Sequence, residues 1–203
     1  MKICIPSTMF LRYAGDTRGL SVYEFAKNLV KAEHKVSVVA PNFDDYATHE
    51  IFDGIEVNRF HYFFPTKYEK LAYGSGIPVN LRNSWLARFQ MLPFTLAFFA
   101  KTLSASKDAD IIHSQWILSG FVGLIAGKLL GKKTAITIRQ VASGKFMRFV
   151  NKFVLERTDH VFFNSSFMRD HILEFCRMKD YSIVNPTVDY DKFKQVKNKE
   201  IKD

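Results

Sequence analysis

The chain has 203 residues, enough for one large domain with a buried core and short for two. Its 47% hydrophobic and 24% charged content exclude a disordered or fibrous protein. Two distant cysteines, Cys4 and Cys176, exclude a disulfide framework and a cysteine metal site. The net charge of +9 suits phosphate-bearing partners, but the cations are spread along the chain and form no known module, so nucleic acid is not an expected partner.

In chain order, "KICIP" is a short apolar run that reads as a buried strand and is too short for a signal peptide. Cys4 falls inside it as a small buried hydrophobe, and the cysteine usage implies a reducing, cytoplasmic compartment. A long loop, "STMFLRYAGDTRG", follows. Residues 20–33 carry Val22, Phe25, Ala26, Leu29 and Val30 at the spacing of a helix with one buried face. "KVSVVAP" is the second strand and "GIEVNRFHYF" the third. Residues 68–80, "YEKLAYGSGIPVN", read as a loop.

Residues 84–103, "SWLARFQMLPFTLAFFAKTL", read as an apolar core helix that Pro93 should kink or split. Arg88, Gln90 and Pro93 keep its apolar run below the ~20 residues that span a bilayer. The alternative is a helix lying on a membrane surface, with Arg82, Arg88 and Lys101 toward the head groups. The 20 phenylalanines imply that some rings are exposed for binding.

"ADIIHS" is the next strand. "LSGFVGLIAGKLLG" is a helix ended by Gly131 as C-cap, with Gly120, Gly123 and Gly127 on nearly one face for close packing. "TAITI" is a strand, "SGKFMRFVNKFVLERT" a helix and "DHVFFN" a strand. "SSFMRDHILEFC" is a helix capped by Ser165 or Ser166. "YSIVN" is the last strand, and "KFKQVKNKEIKD" is a polar tail or linker. Strands alternating with helices imply βαβ crossovers, and continuous apolar strands imply a sheet covered on both faces. The expected fold is a doubly wound, Rossmann-like α/β domain over 1–190, with 191–203 as the start of a linker.

In such a sheet, ligands bind beyond the carboxyl ends of the strands. The residues leaving those ends are His113, Gln115 and Trp116 after "ADII", Arg139 and Gln140 after "TAITI", and Asn164 and Ser165 after "HVFF". The loop Gly15, Asp16, Thr17, Arg18, Gly19 enters a helix N-terminus, whose free N–H groups suit a phosphate. It lacks both the GxGxxG spacing and the GK[ST] ending, so an ordinary loop is an equal reading. For His113 a strand-end histidine bonded to backbone is the favoured reading, and for Trp116 a core cap, with an aromatic cleft mouth as the alternative. Asp189 and Asp191 form a D-x-D pair open to a divalent cation, though a solvated turn fits better. Asp44 and Asp45 are candidates for hydroxyl binding, again beside a plain loop reading.

Taken together, the segments resemble the N-terminal domain of a GT-B-fold glycosyltransferase of the large retaining family 4. "GDTRGLSVYEFAKNLVKAEHKVSVVAP" resembles the family's glycine loop, first helix and second strand. "GIEVNRF" resembles its G-x-x-V-x-R strand, and "DIIHSQWILSGFVGLIAGKLLGKKTAITI" its next strand–helix–strand unit. "LERTDHVFFNSSFMRDHI" and "VNPTVDYDKF" resemble its later strand–helix and its hinge. The resemblance implies an acceptor-binding domain, a separate donor domain for the nucleotide sugar, catalysis between them and no metal or other cofactor. It implies that Gly15 and its neighbours hold the donor phosphate and that His113 matches the first histidine of the family's H-x-H pattern, with Gln115 replacing the second. Where the family has histidine then glycine, this chain has Arg139 and Gln140; arginine is no titrating base but can neutralise a phosphate.

The donor domain is expected to lie outside these residues. Three functions follow. The first is the acceptor half of a glycosyltransferase acting on a glycan or lipid-linked acceptor, with a donor domain in cis or in trans and a peripheral place on the inner face of a membrane. It predicts an apolar surface left by the missing domain. The second is a non-catalytic acceptor-binding module, and the third a nucleotide- or phosphate-binding regulator.

Overall fold

The computed structural model describes residues 1–43, 46–140 and 144–184. In order the elements are β1 (Lys2–Pro6), α1 (Leu20–Lys31), β2 (Lys35–Pro41), β3 (His49–Phe52), β4 (Ile55–Phe60), α2 (Ile77–Asn83) and α3 (Trp85–Ala105). Then come β5 (Ile111–Gln115), α4 (Trp116–Leu130), β6 (Lys133–Ile138), α5 (Lys145–Leu155), β7 (His160–Phe163), α6 (Ser166–Leu173) and β8 (Tyr181–Ile183). The strands form one eight-stranded sheet in the order β3-β4-β2-β1-β5-β6-β7-β8. Every pairing is parallel except β3 with β4. The expected doubly wound α/β fold is the observed one.

Strand order reverses beside β1. From there the chain builds outward through β2 and β4, then returns to lay β5 on the other edge of β1 and builds away through β6 to β8. The crevice that ligands use in such sheets opens at this switch point. Side chains of a strand alternate between faces. Ile3, Ile5, Val36, Val38, Ile55 and Val57 turn to α1, with Val22, Tyr23 and Ala26 across from them. On the opposite face Cys4 and Val39 meet Phe94 and Phe98 of α3, and Ile136, Val161 and Phe163 meet Val154, Leu155 and Ile172 of α5 and α6.

The glycines of α4 set the depth of that packing. A Cβ on Gly120, Gly123 or Gly127 would overlap Ile136, Ser114 or Thr134 respectively, so the helix lies directly on β5 and β6. Gly131 ends it in the left-handed conformation, φ 65°, as the sequence predicts.

Four expectations need correcting. The chain pairs β3 with β4 as an antiparallel edge hairpin around Asp53 and Gly54, both at positive φ. The stretch read as a loop over 68–80 already holds the start of α2, with a proline in its first turn. α3 runs through Pro93 as one helix. Packing holds both of its halves: Phe98 stacks on Phe60 at 5.1 Å, while Gln90 accepts from the Lys70 amide and donates to the Tyr68 carbonyl. Finally, β5 extends to Gln115, so His113 lies inside a strand and not at its end.

Candidate functional site

The site is built from the β1–α1 loop and the carboxyl ends of β5, β6 and β7. β1 and β5 come together there through a bridge between Ser7 and Gln115. Phe10 and Leu11 bury themselves in the core and pin the loop from below. Gly19 is pressed so close to Phe10 that a Cβ would stand 2.6 Å from the Phe10 Cα, and its φ of +77° is left-handed. It serves as N-cap of α1 and accepts the first helical hydrogen bonds from Val22 and Tyr23. Gly15 is also at positive φ, but in open space.

Asp16 braces this loop. Its carboxylate accepts from the Arg12 amide and guanidinium, with a shortest contact of 2.6 Å, and from the Arg18 amide at 3.1 Å. The Arg12 guanidinium beside it holds the acid well below the usual carboxylate range despite burial. An anionic, engaged Asp16 orients the loop, and its carboxylate is not the group that would meet a phosphate there. Thr17 is exposed and Arg18 half-buried beside it. Two residues missed in the sequence stabilise the same loop. Arg12 lies over Phe43 at 4.7 Å, and buried Arg59 donates to the Leu11 carbonyl at 2.7 Å and to Glu50 at 2.9 Å. The arginine of "GIEVNRF" carried the available signal: it falls in phase with Ile55 and Val57, on the buried side of an alternating strand, where a charge needs a partner.

His113 sits on the face of β5 that looks toward α1. Phe25 meets it edge-on at 4.8 Å, Phe162 stacks on it at 5.1 Å, and its Nε2 is 2.8 Å from the Thr137 hydroxyl. Burial, reinforced by Arg139 and His160 nearby, pushes its pKa down to about 4. At neutral pH it is an uncharged, fixed imidazole. It can accept or donate one hydrogen bond, but its burial keeps it from standing free in the crevice.

Gln115 and Arg139 do come together. The Arg139 Nη2 donates to Gln115 Oε1 at 3.4 Å. Burial lowers the guanidinium's pKa, yet no carboxylate pairs with it among the described residues. The Arg139 Nε, the Gln115 Nε2 and the Asn164 Oδ1 are buried and have no hydrogen-bond partner among the described residues. Three neighbouring strands thus each end in unused hydrogen-bonding capacity, which marks a place for a polar ligand. Trp116 follows Gln115 at φ 64°, an uncommon conformation for a bulky residue, and packs on the α1-side core. Ser165 caps α6 by accepting from the Met168 amide at 3.3 Å, so its hydroxyl is partly engaged. Gln140 is exposed.

Asp44, Asp45, Asp189, Asp191, the hinge segment from 185 and the tail at 191–203 lie outside the described residues. No group of three or more metal-ligating side chains occurs among the described ones. A hollow of about 610 Å³ lies at the opposite, amino edge of the sheet, lined by Lys2, Lys35, Glu56 and Lys101. Size does not make it the site: the unused donors and the strand-order reversal are at the carboxyl edge.

An open α/β sheet with a braced glycine loop at its switch point is a Rossmann-like domain built to bind a ligand at that edge. The chain belongs to glycosyltransferase family 4, whose model matches residues 19–192. No curated protein matches the chain by sequence. Among solved structures, sucrose-phosphate synthase from Thermosynechococcus elongatus is similar at a TM-score of 0.65 and 15% identity, over 91% of this chain and 47% of that one. A shorter chain of the same synthase aligns over 95% of this chain and 93% of its own, with the same TM-score and identity. HepE from Anabaena, solved in complex with UDP, matches at a TM-score of 0.59 and 16% identity, over 94% of this chain and 45% of that one. The chain therefore spans about half the length of these two longer chains.

Proposed function

We propose that this chain is the acceptor-binding half of a glycosyltransferase that moves a hexose from a nucleotide sugar to a glycan or lipid-linked acceptor. The observation that carries the reading is the switch-point crevice. There a braced glycine loop, Gln115 and an Arg139 cation without a carboxylate partner among the described residues share one edge. Arg139 suits a phosphate or another anion, and Gly15, Thr17, Arg18 and Gly19 offer backbone groups to it. His113, neutral and held by Thr137, positions the crevice wall or donates a single hydrogen bond. HepE's complex with UDP supports a nucleotide-sugar donor.

Exposed Phe146, Phe149 and Phe167 lie on α5 and α6, the helices that start at the carboxyl edge, and they support a second domain docked across it. The compartment in this reading is cytoplasmic, at the inner face of a membrane, and transfer needs no metal.

The test is transfer from labelled UDP-glucose to a lipid-linked acceptor, by the 203-residue chain alone and with a family 4 donor domain added in trans. The expected result is little turnover alone, transfer when the two are combined, and no loss on adding EDTA. Robust transfer by the chain alone would refute its incompleteness. The second reading, a non-catalytic acceptor-binding module, is favoured by the burial of His113 and by Arg139-Gln140 in place of histidine and glycine; restored transfer in trans would rule it out. A nucleotide-binding regulator requires UDP to raise the melting temperature.

A further inference from the structure

α3 is apolar on two opposite sides. Its inner side, with Ala87, Phe94 and Phe98, is buried against the sheet. Its outer side repeats the pattern half a turn away. Trp85, Phe89, Leu92 and Leu96 are 77%, 67%, 68% and 59% exposed, and Phe99 and Leu103 continue the line. The spacing alternates four and three residues, which keeps all six within about 40° of one line along the helix. A helix covering a sheet normally presents polar residues to water on that side. A row of four large exposed apolar side chains on a rigid helix marks an interaction surface.

Charge indicates what covers it. Between Glu69 and Asp108 the chain carries Lys70, Arg82, Arg88, Lys101 and Lys107 and not one carboxylate. Arg88 is exposed at the flank of the stripe. Its guanidinium reaches back to the carbonyls of Leu81 and Arg82, which also fixes the end of α2 beside Trp85. Arg82 is exposed on that end. Lys101, expected from sequence to face the head groups, lies on the other side of the helix, at the hollow on the amino edge of the sheet. Apolar and aromatic side chains flanked by cations, in a stretch of chain without a carboxylate, suit a helix lying in the interface of an anionic leaflet. Pairing with a second copy through α3 would bring these cations together with no carboxylate to meet them, unlike the complementary flanks of a helical pair.

We propose that the outer face of α3 is a membrane-docking surface, which lies flat on an anionic lipid leaflet with Trp85, Phe89, Leu92 and Leu96 in the interface and Arg82 and Arg88 toward the head groups. No described helix is long and apolar enough to cross a membrane, so this is attachment to one leaflet. The inference deepens the proposed function by naming the surface on which a lipid-linked acceptor is met, and only its purpose rests on that reading.

The experiment is co-sedimentation of the 203-residue chain with phosphatidylcholine vesicles, with and without a fraction of phosphatidylglycerol, and no donor or acceptor present. The chain should sediment with the phosphatidylglycerol vesicles, weaken as salt rises, and lose roughly tenfold in affinity in the Phe89→Glu, Leu92→Glu double variant. Both positions face water, so the variant should keep its circular dichroism and melting temperature. Should it misfold, quenching of Trp85 fluorescence by brominated acyl chains in the unaltered protein gives the second readout. A chain that stays in the supernatant at low salt, or a double variant that binds undiminished, would overturn the proposal. So would a dimer in the unaltered chain that the double variant breaks into monomers. Failure here leaves sugar transfer untouched, because neither substrate is in the assay.

Discussion

Gly19 matters because it has no side chain. Alanine there would meet both a left-handed backbone, about 1–2 kcal/mol, and overlap with the Phe10 backbone, about 1–3 kcal/mol. Gly19→Ala should therefore lower stability by about 2–5 kcal/mol, read as a shift in the urea midpoint. Gly15→Ala, whose added methyl enters open space, should lower it by only about 1 kcal/mol. Equal effects would show that backbone conformation alone accounts for both.

His113 makes a prediction about pH. Its folded pKa, about 4, lies below the ordinary value of 6.5, so the unfolded chain takes up the proton first. Stability is unaffected above about pH 6.5 and falls as pH drops from there to about 4, by up to about 3 kcal/mol. In a pH series of urea melts, the unaltered chain should lose stability relative to His113→Gln across that window. Parallel curves would show that the imidazole takes up its proton equally well in the folded state.

Among the elements, α4 shows how composition becomes geometry. Its three sheet-facing glycines let it approach β5 and β6 to a distance that no other side chain permits. Gly123→Ala gains about 1 kcal/mol in helix propensity but forces a methyl into Ser114. The net should be destabilising by about 1–2 kcal/mol in thermal or urea unfolding. The spacing of these glycines was readable in the sequence; the atoms they approach were not. The β3–β4 hairpin was readable too, since Asp53-Gly54 is a strong two-residue turn signal between alternating segments. The alternation in "GIEVNRF" marks only one strand of that pair. Local propensity makes Pro93 a breaker, but the packing of Phe98 and the hydrogen bonds of Gln90 on either side of it carry the helix through.

At the scale of the whole molecule, the sheet is most protected at its centre. β1, β2, β5 and β6 are covered on both strand edges, while β3 and β8 are short edge strands with exposed side chains. Hydrogen exchange should be slowest at Ile5, Val38 and Ile112, and fastest at β8 and β3. Uniform protection across all eight strands would indicate that the edges are held by contacts beyond those described.

The alternation of apolar runs and helical stripes was enough to determine the α/β class, the order of most elements, the cap at Gly131, a serine cap at Ser165 or Ser166 and the family resemblance, because each depends on residues close in sequence. Which side chains meet was decided only in three dimensions. Strand register took His113 away from the strand end and set it between Phe25 and Phe162. It also brought Gln115 to Arg139, and loop closure turned Asp16 inward onto Arg12. Periodicity reports which face a residue takes along its own element. It carries no information about what another element, dozens of residues away, presents to that face, and burial and hydrogen bonding between such elements determine what each polar group can do.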